Sequence, residues 1–339
     1  MRNIFINLLM PFLLLTLIGC ASAPAPSDNI TGEFVWPRPP DIPRVKWLSE
    51  WSAKKDFGSS GNVVTFLIGE EKDERLRRPN GIVADLAGNI YVADSEQRIV
   101  FVFDQQKKTL RFLGFGSLAG PTGLAIDTKR GIVFVSDARL KKVVGFDKSS
   151  DRNVITVGST GEFQSPSGMV YDNERERLYV SDTRSNIVKV FDKDGKFIFA
   201  IGSHGNNDGE FNFPSYLALD KKGRLYVVDG FNFRVQIFGP DGKFISKFGK
   251  LGDASGSFSR PNGIGVDSEG HIYVADGAFN NFQVFNEEGK LLLWVGHTGK
   301  KPGGFYLPSG LFIDSKDKIY VSDTFNRRVQ VFQYLTDKK

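Results

Sequence analysis

The sequence predicts an all-β fold: a six-bladed β-propeller of four-stranded antiparallel blades, its last blade closed by an N-terminal strand. Three observations carry this expectation. First, one phrase recurs six times, and its clearest copy is PNGIGVDSEGHIYVADGAFNNFQVF, Pro261–Phe285. A proline opens each copy and an aspartate follows six residues later: Pro79/Asp85, Pro121/Asp127, Pro166/Asp172, Pro214/Asp220, Pro261/Asp267 and Pro308/Asp314. Second, an aromatic-Val-x-Asp group ends at Asp94, Asp137, Asp182, Asp229, Asp276 and Asp323, and these aspartates lie 43 to 47 residues apart. A period of that size marks a repeat architecture. Third, each copy holds three or four runs of about five residues, rich in Val, Ile, Phe and Tyr and bounded by Gly, Asp, Asn and Pro, which read as strands. Four antiparallel strands per repeat make a propeller blade. One blade cannot bury both faces, whereas six around an axis can.

Taken in order, residues 1–19 read as an export signal rather than as fold: Arg2, then the apolar stretch Leu8–Ile18, too short to span a bilayer. The ending Leu17-Ile18-Gly19-Cys20 resembles a bacterial lipobox, which implies a lipid on Cys20 and a membrane anchor through it. Ala21-Ser22 lacks the aspartate that retains such lipoproteins at the inner membrane, so the resemblance implies the outer membrane, facing the periplasm or the surface. Cys20 is the one cysteine, which excludes an intrachain disulfide and any cysteine nucleophile in a lipidated protein. Residues 20–43, with Pro37, Pro39, Pro40 and Pro43, read as an extended tether. The propeller is expected over 44–335. Its last copy stops at Phe332 after three strands, so ring closure needs a strand from the N-terminal side: Arg44–Trp51, the favoured choice, or Asn62–Gly69.

Within the copies, turns such as Asp194-Gly195 and Asp241-Gly242 supply the positive φ of tight hairpins. The twelve repeated aspartates read as strand ends that cap turns by accepting backbone N–H groups, since one active site has no need of six copies. Phe103, Phe146, Phe191, Phe238, Phe285 and Phe332, nine residues after the second aspartate, read as core between blades. So do Phe163, Phe211, Phe258 and Phe305, three residues before a proline. Pro-x-Gly, then Tyr-Val-x-Asp, then Arg-x-x-x-Phe resembles the NHL repeat over residues 79–332. Copy four departs from it with Tyr216 in place of glycine, and copy three with Ile187 where Arg234 and Arg328 stand.

Signals for catalysis are weak. His204 and His297 fall in loops between blades and His271 in a turn at the opposite end, so a zinc site is not expected. No nucleophile elbow, phosphate loop or metal-spaced motif occurs, and no metal or cofactor is expected. The formal net charge of +5 is scattered, with no compact basic block, and together with the export signal this argues against nucleic acid. Asn80, Thr122, Ser167, Ser215, Asn262 and Ser309 should ring one mouth of the central channel and hold water. The most informative feature is a set of aromatic, Arg and Asn residues in the loops of blades four to six. It comprises Phe213, Tyr216, Phe231, Phe233, Arg234, Phe279, Asn280, Tyr306, Phe325 and Arg327, while the matching loops of blades one to three are polar. Such a composition matches interface hot spots. The resulting expectation is a lipid-anchored envelope protein whose propeller is a binding or scaffold module for a protein, peptide or glycan. The alternative is a metal-dependent propeller enzyme, a lyase or lactonase-like hydrolase, with its site at the channel mouth.

Overall fold

The computed structural model describes residues 33–53, 56, 74–159 and 161–336. Cys20 and the alternative closing strand at 62–69 lie outside the described residues. Five blades form from consecutive strands. Blade one comprises Pro79–Ala84, Ile90–Asp94, Ile99–Asp104 and Thr109–Leu113, paired in that order and antiparallel throughout. Blades two to five repeat this from Pro121, Pro166, Pro214 and Pro261. Blade six has Pro308–Ile313, Lys318–Asp323 and Arg328–Tyr334, and its fourth strand is Val45–Trp51. The favoured closing strand is therefore the one used, with Val45 opposite Tyr334 and Trp51 opposite Val329. A fifth strand, Val35–Trp36, pairs outside it. That strand lies within the stretch expected to be tether, so residues 35–36 of it belong to the sheet.

Closure by a distant strand is held by apolar burial. Val45 is fully buried with Phe305, Phe332 and Tyr273, and Trp47 packs on the same cluster. The expected inter-blade phenylalanines are all buried, from Phe103 to Phe332, as are Phe163, Phe211, Phe258 and Phe305. Each buried ring removes roughly 2–3 kcal/mol worth of apolar surface from water.

The innermost strands meet so closely that the repeated glycine is obligatory. A Cβ on Gly123 would lie 2.1 Å from the Ser167 carbonyl oxygen of the next blade, and one on Gly310 would lie 2.2 Å from that of Asn80. Side-chain hydroxyls stitch the same seam. Ser136 donates to the Ser167 carbonyl (2.5 Å), Ser181 and Thr183 to that of Pro214 (2.9 and 2.8 Å), and Thr324 to that of Pro79 (2.8 Å), across the closing junction between blades six and one. Inside this ring lies a cavity of about 170 Å³, to which the six blades contribute Ile82, Leu124, Met169, Leu217, Ile264 and Leu311. The axis is thus apolar.

Tyr216 also lines this cavity rather than standing in an exposed loop. Burial pushes its hydroxyl above the ordinary phenol range, opposed by a hydrogen bond with Ser309 across the ring. The exception to the glycine rule is therefore a side chain that lines the channel. Tyr216 leaves the expected surface set for that reason.

Candidate functional site

One carboxylate organises each loop at the end of the blade where the second strand finishes. Asp94 accepts from the backbone N–H of Arg77 and Arg78 in the loop entering the blade, at 2.7 and 2.9 Å. It also accepts from Glu96 and Gln97 in its own blade's loop, at 3.1 and 2.9 Å. Asp137, Asp182 and Asp276 hold the entering loops alike, through Ala119 and Gly120, Gln164 and Ser165, and Ser259 and Arg260. The strand-end reading of these aspartates is what the geometry shows.

Blades four and six use a different solution, the same in both. Asp229 accepts from Asn232 (2.8 Å), Arg234 Nε (2.8 Å) and Gln236 (3.2 Å), and Asp323 accepts from Asn326, Arg328 and Gln330 at 2.8, 2.8 and 3.1 Å. Each arginine spends its remaining donors on carbonyls of the long loop entering the blade. Arg234 reaches those of Asn206, Asn207 and Glu210, and Arg328 those of Lys300, Lys301 and Gly304. Arg328 also pairs with Glu50 of the closing strand. Burial pushes the Asp323 carboxyl up, against the pull of Tyr306 N–H, Asn326 and Arg328.

With the carboxylate so occupied, it takes one entering N–H in place of two: Asn212 in blade four and Tyr306 in blade six, at 2.7 and 2.8 Å. The next residues, Phe213 and Leu307, turn to positive φ (55° and 52°). Their N–H groups go to Asn186 and Asn280 of the preceding blades, at 2.9 and 2.8 Å.

These contacts divide the expected set. Arg234 is buried and structural, a correction that follows from its four hydrogen bonds, all made inside the protein. Asn280 is a loop clamp, its amide nitrogen also donating to Thr298 at 3.0 Å. Phe233 is half-buried against the core between blades four and five. What remains outside are two aromatic pairs, each joining the second-to-third-strand loop to the loop entering the same blade. Phe231 and Phe325 hold the same place, two residues after the clamp aspartate, while Phe213 and Tyr306 stand one and two residues before the proline. Phe213 and Phe231 stack with centroids 4.6 Å apart, and Tyr306 meets Phe325 edge to face at 5.6 Å. Phe231 is 61% exposed and Phe325 53%. Phe279, half-buried, lies in the matching loop of the intervening blade, and Arg327 is exposed beside Phe325. Loops joining second to third strands, and loops joining one blade to the next, share one face of an antiparallel propeller, so both pairs stand on one rim.

Sequence reasoning missed the charge of this rim. The first three blades' loops, read as merely polar, place Arg78, Arg98, Arg139, Lys141 and Arg184 exposed on the same face. Their signal was present: the neutralising aspartates nearby are the buried strand-end ones. Glu96, 3.8 Å from Arg77, is a surface carboxylate among them.

The expected channel-mouth side chains are engaged locally. Asn80 donates to Ser95 (2.8 Å), Thr122 to the Gly120 carbonyl (3.2 Å), Ser167 meets Thr183 (2.6 Å) and Ser309 meets Thr324 (2.7 Å). Ser215 Oγ is buried with no partner among the described residues, and Asn262 is half-buried. Among the described residues no three His, Cys, Asp or Glu side chains gather as a metal site would require. His204 and His297 bridge to Phe211 and Gly304 in inter-blade loops. His271 stands at the other end, its Nδ1 2.9 Å from Asp267.

The geometry defines a class: a six-bladed β-propeller carrying NHL repeats. Two family profiles agree. One described as 6-bladed beta-propeller matches residues 162–229, and the NHL repeat matches residues 258–285. Solved structures similar in fold include an auxiliary nutrient binding protein from Bacteroides thetaiotaomicron (11% identity, 77% of this chain and 70% of that one, TM-score 0.62). A virginiamycin B lyase from Staphylococcus aureus with quinupristin is another (12%, 78% and 98%, TM-score 0.57). A third is in a nidogen/laminin complex (18%, 67% and 82%, TM-score 0.55). No curated relative matches in sequence.

Two expectations follow. Arg234→Ala takes the one charged donor from the buried Asp229 carboxylate and removes the bonds to the Asn206 and Asn207 carbonyls, and should cost about 3–5 kcal/mol in urea unfolding, whereas exposed Arg327→Ala should cost less than about 0.5 kcal/mol. The second concerns pH. The hydrogen bond to Asp267 raises His271 above its ordinary 6.5, against burial and nearby Arg44. Burial pushes the Asp267 carboxyl up, but bonds from His271 and Tyr273 outweigh it and hold it below 3.8. The imidazole's contribution is full below 6.5 and lost as pH rises through its raised folded value. The carboxylate's is present above 3.8 and lost as pH falls through its lowered one. His271→Asn, which copies Asn89 on Asp85 in blade one, should therefore lower Tm more at about pH 6 than at about pH 9. Equal losses at both would contradict the pairing.

Proposed function

We propose that this chain is an envelope lipoprotein, anchored through Cys20, whose propeller is a binding module for a partner gripped on the rim of blades four to six. The observation that carries this reading is the repeated exposure of an aromatic pair. Phe213/Phe231 and Tyr306/Phe325 are raised by one and the same buried scaffold and left outside the core. Exposed rings beside Arg327, with half-buried Phe279 between the pairs, have the composition of an interface centre. The cations of blades one to three on the same face favour a partner with acidic groups, and such charges speed encounter and suppress wrong partners. Among proteins of this fold, a nutrient binding protein and a propeller complexed in nidogen/laminin are consistent with a binding role. The lyase of the same fold shows that the architecture also hosts catalysis, but no catalytic constellation among the described residues favours that reading.

Cross-linking the intact protein in its native envelope tests the site. Combined Phe231→Ala, Phe279→Ala and Phe325→Ala should abolish the cross-linked species while Tm stays unchanged. Leu86→Ala, exposed in the first turn of blade one on the opposite face, should retain it, and capture should weaken as salt rises past about 0.15 M. Persistence of the same species in the triple variant would refute the rim. Anchoring is tested separately: Cys20→Ser should move the protein from the membrane to the soluble fraction, and an unchanged distribution would exclude the lipid.

A further inference from the structure

A second concavity lies away from the rim. It opens between the N-terminal run, residues 36–44, and the outer edge of blade five, with a volume of about 1060 Å³. One wall carries Trp36 and Ile42, the other Leu292 and Trp294. Trp294 is 53% exposed, and Leu292 and Ile42 are exposed with it. Trp294 also breaks the repeat: the same place in the other fourth strands holds Phe112, Thr156, Ala200, Lys247 and, in the closing strand, Glu50.

The opposite wall is built. Arg44 N–H donates to the Trp36 carbonyl at 2.7 Å, and the Trp36 ring meets Phe332 edge to face at 5.8 Å. That ring lies over Gly303, where a Cβ would come within 2.3 Å of it. Polar groups share the cleft. His271 gives Nδ1 to Asp267, which leaves Nε2 without a protein partner among the described residues. The Tyr334 hydroxyl, from blade six, donates to Glu269 at 3.2 Å, and its ring is 5.3 Å from the imidazole. Arg38 and Asp41 complete the lining.

Both charge signs are present, in near balance, so no field selects an ion. Two indoles offer flat apolar faces, while fixed carboxylates, guanidinium groups and an imidazole nitrogen offer acceptors and donors around them. A polyhydroxylated ring needs that combination: C–H faces to stack, and hydroxyls that both give and accept hydrogen bonds. The volume is at the upper end for a ligand pocket and suits several sugar units. From this arrangement we propose that the cleft between Trp36 and Trp294 binds an oligosaccharide. The inference does not use the rim's two aromatic pairs: it uses the outer edge of blade five and the turn at the far end of that blade, and Trp294 also borders a smaller hollow with Phe279.

The intact protein is titrated with maltohexaose, cellohexaose, xylohexaose and chitohexaose, and with a synthetic decaproline, following tryptophan fluorescence and heat. Aromatic-lined grooves also take extended proline helices, so the peptide is the competing occupant. At least one hexasaccharide should bind saturably with a Kd between about 1 μM and about 1 mM. Trp294→Ala should weaken it at least about tenfold, with Tm unchanged because the side chain is exposed. Phe231→Ala with Phe325→Ala should leave it unaltered. The proposal is overturned if no hexasaccharide binds up to about 10 mM, if Trp294→Ala binds as well as wild type, or if decaproline alone saturates.

Discussion

The aspartate that ends the second strand of each blade is the constraint on which the rest depends. Its carboxylate is almost wholly buried, and in blades one, two, three and five it gathers the N–H groups of the entering loop. Hydrogen bonds to a charged acceptor contribute about 1.5–3 kcal/mol each, and a buried carboxylate left short of donors is strongly destabilising. One side chain thus fixes where the chain enters a blade and where it turns within it. Six such clamps set the positions of all the loops on one face.

Function in this reading follows from how that clamp is altered. Where Asn, Arg and Gln fill the carboxylate of blades four and six, the arginine joins it in holding the entering loop, and the rings of Phe213 and Tyr306 stand exposed. The ring they meet, Phe231 or Phe325, sits one turn away in the same blade. The departure from the repeat therefore builds a surface, and the buried arginine is its support. The close approach of the innermost strands works differently. It forbids side chains at the repeated glycine, keeps the axis narrow and apolar, and leaves Tyr216, the one exception, lining the channel. Chemistry is displaced from the axis to the rim and the outer edge.

Much of this was legible in the residues. Six copies with aspartates and phenylalanines in register specified strand order, loop positions and core, because a blade can bury its faces only against identical neighbours. Phe213, Phe231, Tyr306 and Phe325 were recognisable as exceptions to the repeat. Tyr216, Phe233, Arg234 and Asn280 were grouped with them, and the structure turns each inward. Spacing locates a residue at the end of a strand, but it does not say whether a carbonyl or a carboxylate waits within reach. The cleft beside Trp294 was invisible for a related reason: its other wall comes from residues more than 240 positions earlier in the chain.

By itself, then, the sequence determined the number of blades, the strands within them, the clamp aspartates and the need for a closing strand, since each is a periodic demand of burial and hydrogen bonding. Tertiary structure decided which rings stay in water, which arginines are supports, and where Val35–Trp36 lies against the ring. Those outcomes depend on contacts between segments far apart in the chain, and no local pattern encodes the direction in which a side chain finds its partner.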